Sequence, residues 1–339
     1  MTVKDNPSPQ AHATTRSLPT DTLVVLLLAC GPTLVYGGVY FAALCGAGWP
    51  SSTGYLITLI TNGATAVTAY LLYTALYTPG KLPHVSSGGR RIRVCLLVTL
   101  ASLALVPWLP TSLALRGVAE AALVTWLAVR VARSHGIALE SAPRPCDRRH
   151  RRVTMWMLWL IVVFCVLGAA LRRGLDVLLT RFPGDMPLLR PGQGGTPGIE
   201  TADDLLLMIA RSAAIEDLVL VAGGVALLSA ARRPVWQIYL LVIVVEVVVH
   251  AHYGLGAITL ALFAGVRVWL YLRYRRVLPM IAAHVLFDVV VNVPWIAGAV
   301  AGDAALLVST AGVGVLTWYA WRTGTSEAAA KTPALKEAS

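Results

Sequence analysis

Ionisable side chains interrupt several long apolar runs in the second half of the chain. Glu246 and His250 lie one helical turn apart, and His284, Asp288 and Asn292 repeat that spacing over two turns. The other members of the set are Arg211, Glu216, Asp217, His252 and Arg267. Carboxylates and imidazoles gathered in a medium of low polarity are suited to activating a water molecule and stabilising an oxyanion. The spacing therefore points to hydrolytic chemistry.

These residues also have a purely structural interpretation. A charged side chain at mid-membrane costs at least about 2.5–3.5 kcal/mol, which favours a functional role, but polar residues in helix bundles also join helices together. The structural interpretation suits one isolated residue better than several imidazoles and carboxylates on neighbouring helices. His252 is better explained as an interfacial residue than as a ligand. Glu216 and Asp217 are adjacent, about 100° apart on an α-helix, so we expect at most one to face a shared centre.

The elements that must position these residues are transmembrane helices. The chain has 339 residues, of which 57% are hydrophobic and 13% charged, and its mean hydropathy is +0.69; a soluble domain carries about 25% charged residues. The apolar runs are continuous rather than alternating, which excludes a membrane barrel. The net charge of +11 comes from arginines in short loops, so nucleic acid is excluded as a partner. The five cysteines show no metal-binding spacing.

The hydropathy pattern predicts an all-α, polytopic bundle of about ten spans. They cover residues 23–47, 54–77, 94–114, 117–134, 153–172, 203–230, 235–253, 255–275, 277–298 and 303–321. Every second loop is basic, with clusters at 90–93, 144–152, 232–233 and 273–276. Because basic loops stay in the cytoplasm, this alternation predicts that the N- and C-termini are both cytoplasmic.

The same pattern divides the chain into six parts. They are a disordered tail (1–20), N-terminal transmembrane helices (21–172), an extracytoplasmic loop (173–202), a helix bundle with the ionisable residues (203–298), a last transmembrane helix (299–322) and a disordered C-terminal tail (323–339). The first apolar run is too long for a cleaved signal segment and is interpreted as a retained helix.

Three short motifs within residues 200–300 resemble those of the CPBP family of intramembrane proteases, which includes the CAAX-processing, Rce1-type enzymes and Abi proteins. AAIEDLVLV carries the paired acids Glu216 and Asp217, HAHYG carries His250, and LPMIAAHVLFDVVVN carries His284 and Asp288. YLRYRR stands where the family has a similar turn. Two positions depart from the family pattern: Val221 replaces the arginine of the first motif, and Glu246 stands where phenylalanine is expected.

The resemblance implies an intramembrane endopeptidase of a hydrophobic or membrane-anchored peptide. Glu216 would activate water, His250 and His284 would stabilise the oxyanion or position the water, and Asp288 would orient His284. Asp217 would set the charge of the site. Glu216, His250 and His284 could also form a three-ligand zinc site, although the chain has no HExxH motif, so both metal-dependent and metal-free chemistry stay open.

Arg267 is the candidate to replace the missing arginine. It lies at nearly the same depth in its span as Glu216, and we therefore expect it to act as the counterion of the acidic pair. Glu246, His252 and Asn292 are expected to support the site, and Glu246 could serve as base or ligand. Counted along straight helices, His250 and His284 differ in depth by roughly 14 Å, so the site requires tilt, shifted boundaries or a broken helix near residues 253–256.

Two other functions are compatible with these residues. The departures from the family pattern would suit a catalytically inactive binding or immunity protein in the same fold. Buried carboxylates would also suit an ion- or proton-coupled transporter, but the chain shows no internal repeat of the kind found in such transporters. The Arg-, Ala- and Val-rich composition suggests a bacterial cytoplasmic membrane protein.

Overall fold

The architecture is helical in every part of the chain that the structure describes. The computed structural model describes residues 18–43, 53–77, 87–105, 113–140, 148–179 and 201–297, with isolated positions at 45, 181 and between 308 and 319. Helices account for 93% of these residues, and none of them is in a strand. The predicted tails, most of the 173–202 loop and the predicted last span fall largely outside the described residues.

Helices α1 to α5 are Leu18–Ala42, Thr53–Tyr77, Ser87–Leu105, Leu113–Ser134 and Arg148–Leu179. Helix α6 (Ala202–Ser212), a π-helical segment (Ala213–Gly224) and α7 (Val225–Ala230) follow without a break in helical backbone. The described bundle ends with α8 (Val235–Val249), a 3-10 segment (Ala251–Thr259), α9 (Leu260–Tyr274) and α10 (Leu278–Ala297).

Among the described residues, four stretches are long and apolar enough to cross a membrane: Leu18–Ala42, Tyr55–Leu76, Val153–Leu175 and Tyr253–Tyr274. Two shorter apolar helices, Val235–Val249 and Leu278–Val290, accompany them. A helix of about 20 apolar residues spans the hydrocarbon core, so membrane spanning is supported for these four.

Several helix boundaries differ from the predicted ones: α3 begins at Ser87 and α5 at Arg148, so parts of the basic clusters at 90–93 and 144–152 lie on helices rather than in loops. Helix α5 continues through Leu179, whereas the predicted loop begins at residue 173. The guanidinium of Arg172, near the predicted boundary, packs on the ring of Tyr253, 4.0 Å from its centroid. At the other end, α1 begins at Leu18, inside the predicted tail.

The bundle exposes many large apolar side chains and buries several charged ones within a mostly apolar core. Large apolar side chains face outward, including Leu27 and Trp236, which are 55% and 63% exposed, while Arg267 is fully buried. Water-soluble proteins rarely expose contiguous apolar surface on this scale, and a buried guanidinium needs partners. The outer surface therefore suits lipid, and the polar groups collect inside.

The π-helical segment lies at the centre of the packing. It contacts α1, α4, α8, α9 and α10, and most of its residues are buried. Helix α1 approaches α8 very closely at Gly37, where an added Cβ would collide with the carbonyl of Val248. The elements that carry the ionisable residues are thus held together by close helix packing.

Candidate active site

Glu216 and Asp217 both face the interior from the π-helical segment. Their carboxylates lie 3.6 and 2.9 Å from the same nitrogen, Nη1 of Arg267. The expectation that at most one of them faces a shared centre is therefore wrong. A π-helix forms i→i+5 bonds and has more residues per turn than an α-helix, so neighbouring side chains diverge less and two consecutive acids can share one partner.

Arg267 lies among three carboxylates on the inner side of α9. Its Nη1 donates a hydrogen bond to Asp217 Oδ1 at 2.9 Å, and its Nη2 lies 2.6 Å from Glu246 Oε1. The guanidinium and Asp217 are fully buried, and the side chain of Glu246 is 1% exposed. This is the counterion position expected for Arg267. Val221, where the family arginine would stand, is buried in the apolar core.

His284 is held by two acids on opposite sides of its ring. Its Nδ1 lies 3.0 Å from Asp217 Oδ2, in hydrogen-bond contact. Its Nε2 lies 3.3 Å from Asp288 Oδ2 and 3.7 Å from Glu216 Oε2. Asp217 is thus the acid behind the ring, whereas Asp288, expected to orient His284, lies beside Nε2, the nitrogen that faces Glu216.

His250 reaches the site because the helix that carries it ends there. Helix α8 ends at Val249, and Gly254 in the following segment has φ 60° and ψ −143°, a conformation that side-chain-bearing residues rarely adopt. The break at Gly254 lies inside the range 253–256, where a broken helix was one of the three ways to close the depth difference. Nδ1 of His250 lies 2.9 Å from the carbonyl of Glu246, and Nε2 lies 3.9 Å from Glu216 Oε1.

Sequence reasoning missed two residues that contact the site. Ser212, one turn before Glu216, donates a hydrogen bond to Glu216 Oε1 at 2.6 Å. Phe263 lies under the guanidinium of Arg267, 3.8 Å from its centroid, and meets the ring of His284 edge-on at 5.2 Å. Ser212 lies four residues before Glu216, and Phe263 lies four residues before Arg267. This spacing puts each pair on one helix face and could have identified both residues from the sequence.

Two expected supporting residues are not part of the cluster as described. Asn292 donates a hydrogen bond to the backbone carbonyl of Asp288 at 2.7 Å, which ties it to its own helix. The side chain of His252 lies outside the described part of the structure. Arg211 lies elsewhere in the bundle, with its side chain against Gly117 of α4.

The cluster has a closed inner end and a partly open outer end. Arg267, Asp217 and Glu246 are essentially inaccessible, whereas the side chains of Glu216, His250 and Asp288 are 10%, 18% and 20% exposed. The outer groups therefore have more exposed surface than the inner ion pairs. Such an arrangement can activate water next to preorganised imidazoles.

The group best placed to hold a metal differs from the one expected. Glu216, Glu246 and His250 each offer one ligand atom, and these atoms lie within 4.8 Å of one another. In this group Glu246 takes the place expected for His284.

No protein-family model, curated protein or solved structure matches this chain. The resemblance to the CPBP proteases accordingly depends on its short motifs, and the function must be inferred from the site itself.

Proposed function

We propose that this protein is a polytopic intramembrane endopeptidase of the CPBP type, in a bacterial cytoplasmic membrane. In this proposal the chain crosses the membrane about ten times with both termini in the cytoplasm. Its substrate is a hydrophobic or membrane-anchored peptide, because the helices that surround the site have apolar outer surfaces.

The observation that carries the proposal is the position of Glu216. Its carboxylate lies at the partly open end of the cluster, 3.9 Å from His250 Nε2 on one side and 3.7 Å from His284 Nε2 on the other. A water molecule bound there would meet a carboxylate base and two imidazoles at once. Those are the groups that hydrolysis of an amide requires.

In the proposed reaction Glu216 takes a proton from water, and the water oxygen bonds to the substrate carbonyl carbon. His250 and His284 stabilise the negative oxygen that results. The carbon–nitrogen bond then breaks, and the proton held by Glu216 passes to the leaving nitrogen. General acid–base catalysis of this kind contributes typically about 10²–10⁴-fold to a rate.

The inner ion pairs support this reaction by fixing the reacting groups. The contact with Asp217 orients His284, and the hydrogen bond from Ser212 fixes one oxygen of Glu216. The guanidinium of Arg267 lies 3.6 Å from the other oxygen, where the family would supply an arginine from the first motif. Phe263 supplies an aromatic contact to His284 from α9.

The test is cleavage of hydrophobic peptides by the purified protein in lipid nanodiscs. We expect Glu216→Gln, His250→Gln and His284→Gln each to lower the rate by at least about 10²-fold, with melting temperatures close to wild type. Glu120→Gln is the matched control, because Glu120 is a partly buried carboxylate on α4 outside the cluster. Full activity in all three site variants would disprove the proposal. Retention of a peptide without cleavage by wild type would favour a binding protein instead.

A further inference from the structure

We propose that Glu216, Glu246 and His250 bind one divalent transition-metal cation of the Zn²⁺ or Mn²⁺ class. Their ligand atoms come from two elements, the π-helical segment and the C-terminal end of α8, and lie within 4.8 Å of one another. Ligands at about 2.0–2.2 Å from a tetrahedral metal lie about 3.4 Å apart. Side-chain shifts of about 1 Å would therefore close the site around an ion.

The carboxylate of Glu246 is buried without the hydrogen bonds that a buried carboxylate needs. The residue is 1% exposed, and neither oxygen accepts a hydrogen bond from any described residue. Oε1 lies 2.6 Å from Arg267 Nη2, so its charge is paired, but Oε2 has no such neighbour among the described ion pairs. A buried charged oxygen without a partner is costly. A metal ligand bond would satisfy it.

The ring of His250 is oriented as metal-binding histidines are. The carbonyl of Glu246 can only accept, so the contact at 2.9 Å places the hydrogen on Nδ1 of His250. Nε2 lies 3.9 Å from Glu216 Oε1. A cation between these two atoms would be bound by both. A backbone carbonyl behind a ligating imidazole is the usual outer contact of a metal site.

The charge of the cluster also favours a cation. The cluster holds four carboxyl groups, those of Glu216, Asp217, Glu246 and Asp288, and one guanidinium, that of Arg267. Uncompensated buried charge is strongly destabilising. The charge of Arg267 is already paired with Asp217 and with one oxygen of Glu246, which offsets part of its repulsion of a nearby ion. A divalent ion would balance part of the acidic excess.

The donor set narrows the choice of ion. Mg²⁺ and Ca²⁺ prefer sites made entirely of oxygen ligands, whereas an imidazole with carboxylates suits Zn²⁺ or Mn²⁺. Three protein ligands leave a coordination position open, as in catalytic rather than structural zinc sites. The inference does not require that the protein cleaves peptides. If both proposals hold, His250 Nε2 would bind the ion, and the ion would take over from His250 the stabilisation of the negative oxygen.

The test is metal binding by the full-length protein, stripped with a chelator and reconstituted in nanodiscs. Titration calorimetry with Zn²⁺, Mn²⁺ and Mg²⁺ measures affinity, and elemental mass spectrometry after gel filtration measures stoichiometry. We expect one equivalent of Zn²⁺ or Mn²⁺ and at least about 100-fold weaker affinity in Glu246→Gln, since loss of even an outer-shell partner costs about 10–100-fold. Glu120→Gln should bind as wild type does.

The His284→Gln variant distinguishes this ligand set from the alternative set of Glu216, His250 and His284. The present assignment predicts that His284→Gln retains the ion while Glu246→Gln loses it, and the opposite pattern would overturn it. Less than about one tenth of an equivalent in wild type would also overturn it, and protons would then balance the buried charge. Metal binding without peptide cleavage would refute only the proposed function, and cleavage without metal would refute only this inference.

Discussion

Replacing Arg267 by methionine removes the only guanidinium that lies among the buried carboxylates of the described cluster. The side chain is fully buried, with Asp217 Oδ1 at 2.9 Å and Glu246 Oε1 at 2.6 Å. Methionine keeps much of the apolar volume, so the main loss is electrostatic. Removing one partner of a buried ion pair costs about 3–5 kcal/mol, because the other charge is left uncompensated.

That cost is a large fraction of total stability, which for most proteins is about 5–15 kcal/mol. At about 2 °C per kcal/mol, the value for larger domains, the melting temperature should fall by roughly 6–10 °C. The assay is thermal unfolding in nanodiscs, followed by intrinsic fluorescence. Arg267→Lys keeps the positive charge but lacks the planar guanidinium that can donate two parallel hydrogen bonds. Its melting temperature should therefore fall by less than that of Arg267→Met. Arg233→Met, at an exposed position between α7 and α8, should change stability by no more than about 0.5 kcal/mol.

A double variant identifies the electrostatic origin of the loss. Glu246→Gln removes one of the charges that Arg267 balances, so Arg267→Met combined with Glu246→Gln should be less destabilised than the sum of the two single variants. Residues in direct contact typically show coupling of about 0.5–3 kcal/mol. Simple additivity, or an Arg267→Met protein that melts within about 1 °C of wild type, would refute the reasoning.

Two further substitutions test the packing that holds the site together. Gly37→Ala should destabilise the fold by about 1–3 kcal/mol, because the new Cβ would collide with the carbonyl of Val248 where α1 meets α8; Gly38→Ala, with no atom within 4 Å of its Cβ, should not, and equal melting temperatures would contradict the contact. Tyr271→Phe should cost about 0.5–1.5 kcal/mol in thermal unfolding, because the hydroxyl donates to the carbonyl of Leu139 at 2.6 Å. A Tyr271→Phe protein as stable as wild type would show that this hydrogen bond contributes nothing.

The parts of the site that the sequence predicts are those set by helical period and by the cost of buried charge. Glu246 and His250 at the end of α8 and His284 on α10 converge because ionisable residues in apolar helices turn away from lipid and toward one another. Arg267 lies near Glu216 for the same reason. The similar depth of the two residues in their helices was enough to predict this pairing from the sequence.

The parts that the sequence does not predict depend on backbone geometry set by tertiary packing. Propensity and hydropathy do not distinguish a twelve-residue π-helical segment from an α-helix, so the shared direction of Glu216 and Asp217 could not be foreseen. The same geometry places Asp217 behind the ring of His284, in the orienting position that the sequence predicted for Asp288. The break at Gly254 was one of three ways to bring His250 to the site, and the sequence alone could not choose among them.

The central claim is that Glu216 and His284 act on one water molecule in one site, and a double-mutant cycle on peptide cleavage tests it most directly. The rates to compare are those of wild type, Glu216→Gln, His284→Gln and the double variant, in nanodiscs with matched melting temperatures. Groups that act as a unit are strongly non-additive. We predict that each single variant loses at least about 10²-fold and that the double variant is no slower than the slower single variant. Losses that multiply, or single variants with wild-type rates, would contradict the shared site.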